Sequence, residues 1–87
     1  MASIEEVKAI LAQAAEQGNV TVNQIQAAAA NVEQVLNRLR AVSAGTGHPK
    51  TAEAIARAEQ AKQQLAQAAV LIQGSSAAAR EYRSLLG

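Results

Sequence analysis

Counting in sevens from Ile4 reaches Ile4, Leu11, Gly18, Ile25, Val32 and Leu39; counting from Val7 reaches Val7, Ala14, Thr21, Ala28, Val35 and Val42. Only Gly18 and Thr21 interrupt these two apolar columns. A period of 3.5 residues held over six heptads is the pattern of an α-helix whose seam lies against another helix. The second half of the chain repeats the pattern, with Ala58, Leu65, Ile72, Ala79 and Leu86 in one column and Ala54, Ala61, Ala68, Ser75 and Tyr82 in the other. Small residues fill most of the latter column, which lets neighbouring backbones approach closely. Ile55 adds a bulky residue to the start of the same seam. Apolar residues off the seam (Ile10, Leu36, Val70, Leu71 and Leu85) widen the stripe on both arms and mark a surface for a partner, as in a four-helix bundle.

The break between the arms is Gly45-Thr46-Gly47-His48-Pro49, which holds the only proline and two of the five glycines. Gly45 or Gly47 is expected to take the positive φ that closes a helix C-terminus. Pro49 suits the first turn of the next helix, with His48 or Gly47 as its N-cap. At the other end, Ser3-x-x-Glu6 is a capping box. The expected architecture is all-α, a single hairpin domain over 1–87 with arm one at 3–43, a turn at 44–49 and arm two at 50–86. The first arm is expected to be one long helix weakened or kinked near Gly18, with a break there and a separate helix capped by Thr21-x-x-Gln24 as the alternative. A bend at most is expected at Gly74-Ser75-Ser76.

Alanine supplies 22 of the 87 residues, and Tyr82 is the sole aromatic. Alanine favours helix more than any other residue and fills a core poorly. A chain this short, with so little bulky surface to bury, is expected to assemble further, into a dimeric four-helix bundle or coiled coil. Its net charge is +1, and its Lys and Arg residues are scattered rather than clustered. Neither a basic patch nor aromatic stacking platforms point to nucleic acid. With no cysteine, thiolate metal sites and disulfides are excluded. The acidic opening Met1-Ala2-Ser3-Ile4-Glu5-Glu6 is unlike a signal peptide, and no apolar run approaches the ~20 residues of a membrane span. The expected product is soluble and cytoplasmic as synthesised.

The residues capable of chemistry lack partners. His48 is the single histidine and sits beside Pro49, so it reads as a turn or capping residue. Glu5 and Glu6 fall in a first helical turn, where the helix dipole stabilises negative charge. Gly45-Thr46-Gly47 lacks the glycine spacing, the Lys-Ser/Thr pair and the preceding strand of a phosphate loop. No catalytic, metal or cofactor site is expected. Tyr82 lies in a seam column near the C-terminus, where its ring is expected to pack beside the N-terminal end of the first arm.

The opening Met-Ala-Ser-Ile-Glu-Glu-Val, the Ala/Gln-rich arm, the Gly-Thr-Gly-His-Pro turn and the Ala-Glu-Ala-Ile-Ala-Arg-Ala that follows resemble small actinobacterial helical-hairpin proteins and the helical N-terminal regions of polymorphic toxins. In layout the chain is also similar to the WXG100 hairpins of type VII secretion. That family carries Trp-x-Gly in its turn and a Tyr-x-x-x-Asp/Glu export signal; this chain has no tryptophan, and Tyr82-Arg83-Ser84-Leu85-Leu86 ends in leucine. Only Tyr82 carries over. The resemblance implies a non-enzymatic protein that pairs with itself or a related helical partner, and export without a cleaved signal peptide. Two further readings stand beside it: a structural assembly protein of a phage or virus-like particle, and a peripheral membrane-surface helical protein.

Overall fold

The computed structural model describes residues 2–87 as two helices, α1 (Ile4–Gly45) and α2 (Pro49–Leu85), folded back on each other as an antiparallel hairpin. Forty-two residues at about 1.5 Å each give about 63 Å. The long axis of the molecule is 63 Å, with the other two extents 19 and 14 Å. The first helix therefore runs unbroken and without a large kink through Gly18. Thr21, the candidate cap of a separate helix, instead turns its hydroxyl back to donate to the Gln17 carbonyl at 2.9 Å, an interaction internal to a continuous helix. The second helix likewise passes through Gly74-Ser75-Ser76 without interruption.

The ends of the helices follow from local chemistry. Ser3 is extended, and its hydroxyl accepts from the Glu6 N–H at 3.1 Å. Glu5 and Glu6 place negative charge in the first turn. His48 caps α2: its Nδ1 accepts from the Lys50 N–H at 3.1 Å, and Pro49 opens the helix where no N–H is needed. The Thr51 hydroxyl donates to the His48 carbonyl at 2.7 Å and tightens the same turn. The glycines of the turn act differently from the sequence expectation. Gly45 is the last residue of α1, and the cap is Thr46, in an extended conformation, donating its N–H to the Ser43 carbonyl at 3.4 Å. Among the described residues the glycine with positive φ is Gly87, so neither Gly45 nor Gly47 uses the left-handed region. Extended residues at 46 and 48 reverse the chain without it.

The seam keeps one column of α1, and the deeper burial of the other moves over by one residue, with Val7, Thr21 and Ala28 of the expected column still half-buried. Leu11, Gly18, Ile25, Val32 and Leu39 are half-buried against α2, as their spacing predicts, whereas Ile4 at the helix start is 59% exposed. The second buried column is Lys8, Ala15, Val22, Ala29, Leu36 and Ser43, one residue beyond the expected Val7, Ala14, Thr21, Ala28, Val35 and Val42. Val35 and Val42 are exposed, and Leu36, expected on the partner surface, is the most deeply buried large side chain, at 1% exposure. Residues three and four positions beyond a column flank it on opposite sides of the helix, so either can complete a seam.

In α2 the column Thr51, Ala58, Leu65, Ile72, Ala79 and Leu86 is half-buried from end to end. Its companion starts as expected with Ala54, Ala61 and Ala68, beside a half-buried Ile55. After Ala68 the burial moves over by one residue, to Ala69 and Ser76, leaving Ser75 and Tyr82 exposed. Gly18 accounts for the shift. A Cβ at position 18 would overlap Ser76 Oγ and stand 3.6 Å from Ile72 Cγ2. The missing side chain opens a notch for Ser76, which is buried there and donates its hydroxyl to the Ala15 carbonyl at 3.4 Å. The glycine that looks like a helix fault is the point where the two helices approach closely.

Candidate interaction surface

Two antiparallel helices make a two-layer slab with two broad sides, and the ion pairs identify one of them. Glu33 and Arg40, seven residues apart, share the flank of α1 that follows the Leu36 column. Glu33 accepts from Lys62 Nζ at 2.6 Å and from Arg40 at 3.5 Å, and Arg40 reaches across to Glu59 at 3.3 Å. These four side chains are partly exposed, so each pair contributes modestly to stability. The network marks which sides of α1 and α2 meet. The hydrogen bond from Lys62, then its charge, holds the Glu33 carboxyl below its ordinary value of 4.5. An open depression of about 370 Å³ lies over this side, lined by Leu36, Arg40, Glu59, Lys62, Gln63 and Ala66.

The opposite side has a different chemistry. On α1 it carries Val7, Ala14, Thr21, Ala28, Val35 and Val42, the displaced column, with Ile10 on its outer edge. On α2 it carries Ala54, Ala61, Ala68, Ser75 and Tyr82, with Leu71, Ala78 and Leu85 on the outer edge. None of the residues in these two columns is charged. Charge returns only on the outer edges near the turn, at Arg38, Lys50 and Arg57. Ile10, Val35, Val42, Leu71, Tyr82 and Leu85 are among the exposed bulky side chains. Val70, which the sequence groups with Leu71, points away from this side, because one residue further along α2 is a rotation of about 100°.

Tyr82 therefore sits on the rim of the open side, 51% exposed, rather than inside the seam. At the terminal end of the slab Lys8 Nζ donates to the Gly87 main-chain oxygen at 3.0 Å and tethers the end of α2 to the first turns of α1. A second, polar depression of about 250 Å³ there is lined by Lys8, Arg83, Ser84 and Gly87. Among the described residues no group of three His, Asp or Glu side chains stands where it could share a metal ion, and no helix is long and apolar enough to cross a membrane.

Ile10, Leu71 and Leu85, expected off the seam, are exposed on this side together with Val35, Val42 and Tyr82, expected in the internal seam, while Val7 is half-buried at its edge. The signal that separates the two sides is charge rather than hydropathy. Glu33, Arg40, Glu59 and Lys62 mark the polar flank, and the uncharged columns mark the other. Comparison with family models, with curated proteins and with solved structures finds no match to this chain.

Proposed function

We propose that this protein is a helical docking module, which works by presenting a side of its hairpin to other helices, from a second copy or from a related helical protein. The observation that carries this reading is surface area. A compact chain of 9.0 kDa exposes about 4,900 Å². This hairpin exposes 6236 Å², and its radius of gyration of 19.5 Å compares with about 12 Å for a compact domain of the same length. The apolar side chains buried between α1 and α2 are Ala15, Val22 and Leu36, a thin core for so much ordered backbone. Completing the core with helices from outside supplies the missing burial.

The test is association in solution. Light scattering and sedimentation across a range of concentrations should find a species heavier than 9.0 kDa, or a weakly ordered chain that gains helix when its helical partner is added. A cooperatively folded monomer at every concentration, with no gain from any helical partner encoded beside it, would overturn the reading.

A further inference from the structure

We infer that the uncharged side of the hairpin is the seat of a second copy of this chain, docked with the turn of each copy against the terminal end of the other. This rests on the docking-module reading and goes further by naming the surface, the occupant and its orientation.

The choice of surface follows from solvation. On the polar side Glu33, Arg40, Glu59 and Lys62 already pair with one another, and covering it would strip water from all four. Covering the uncharged side desolvates no ionised group along its two columns. Its bulky members, Ile10, Val35, Val42, Leu71, Tyr82 and Leu85, stand on either side of the alanines at 14, 28, 61 and 68, so two such sides can come close at the middle and interlock towards the ends.

The choice of occupant follows from charge and area together. A side without charge gives no electrostatic handle to a basic or acidic partner, and it is complementary to a surface of its own kind. A two-fold axis supplies that surface automatically. A broad side of 63 by 19 Å presents about 1,200 Å² per chain, so two copies docked over it cover about 2,400 Å² in total, within the span of obligate homodimers.

The orientation follows from the rim. Arg38, Lys50 and Arg57 border the uncharged side at the turn end, and Glu53 is bonded to both Lys50 and Arg57. Copies docked turn to turn would gather six cations around two carboxylates. Docked end for end, the two cationic rims lie at opposite ends of the bundle.

The experiment uses the full chain. Wild type, Val35→Glu, Leu71→Glu and the outward-facing control Val70→Glu are compared by sedimentation equilibrium, with circular dichroism reporting helix content. Positions 35, 70 and 71 are all exposed in the single hairpin, so a glutamate fits at each without disturbing the seam. The expected result is a wild-type mass of twice 9.0 kDa. An unpaired charge buried in the interface is expected to weaken the dimer by more than about 100-fold at Val35 or Leu71, whereas Val70→Glu leaves it unchanged. Orientation is read separately by energy transfer between dyes on Gly47→Cys, a turn position where an added Cβ meets open space. End-for-end docking separates the dyes by roughly the 63 Å long axis, and turn-to-turn docking by roughly the 19 Å width. A dimer dissociated by Val70→Glu but not by Leu71→Glu, or one with its dyes close together, overturns this inference and leaves the docking-module reading standing. A wild-type monomer overturns the inference and removes self-association from that reading.

Discussion

The close approach at Gly18 makes a quantitative claim that a double-mutant cycle tests. In an open helix interior, Gly→Ala stabilises by about 0.8–1.0 kcal/mol. At position 18 the new methyl meets the Ser76 hydroxyl, which has one torsion with which to escape and a bond to the Ala15 carbonyl to surrender. Giving up that bond and moving to another rotamer costs about 0.5–1.5 kcal/mol. Gly18→Ala alone should therefore fall between a gain of about 0.5 and a loss of about 0.7 kcal/mol, its propensity gain being offset. Ser76→Ala removes the obstructing oxygen and leaves the Ser76 Cβ position 3.4 Å from the new methyl, an ordinary contact. In that background Gly18→Ala should deliver most of its propensity gain. The coupling between the two sites, measured by urea denaturation at one fixed protein concentration, is expected near 1 kcal/mol. A gain of about 1 kcal/mol from Gly18→Ala in both backgrounds would refute the reasoning, because it would mean that nothing stands opposite residue 18.

Three further outcomes follow from the same packing. Leu36→Ala should cost about 2–3 kcal/mol, the lower part of the range for a buried leucine because the adjoining depression admits water, whereas Val70→Ala should cost under about 0.5 kcal/mol; thermal melts of both variants check this. The Glu33 carboxyl, held below 4.5 chiefly by Lys62, should add stability that is complete above the unfolded value and is lost as pH falls through the lower folded one. Glu33→Gln should flatten that acid limb of the melting temperature against pH, and salt should flatten it in the wild type. His48→Ala should lower stability by about 0.5–1 kcal/mol through loss of the N-cap, and His48→Asp should keep the cap, as read by calorimetry.

Much of the architecture is written in local chemistry. Ser3, His48 and Pro49 fix where helices start, and the column from Leu11 to Leu39 points one face of α1 at α2. Two features are not legible from either arm read by itself. Gly18 reads as a fault because its function lies across the interface, in a serine 58 residues away in the chain, and a glycine opposite nothing would look identical. The displaced column is obscured for a related reason. Val7, Val35 and Val42 on one flank and Val22 and Leu36 on the other are equally apolar, so hydropathy cannot choose between them. Interhelical pairing of Glu33 with Lys62 and of Arg40 with Glu59 matches the charged flanks and turns Leu36 inward. Charge on the flanks, compared between the two arms, carries that information in the sequence. Tyr82 keeps to its column in the sequence but lies on the rim, because the buried face of α2 shifts over by one residue at Ala69.

The midpoint of thermal unfolding against protein concentration shows whether helices from outside complete the uncharged side of this hairpin. Folding coupled to association makes that midpoint rise with concentration, and such a rise is expected together with a mass of twice 9.0 kDa for the folded species. A midpoint independent of concentration, in a cooperatively melting chain of 9.0 kDa, would contradict it.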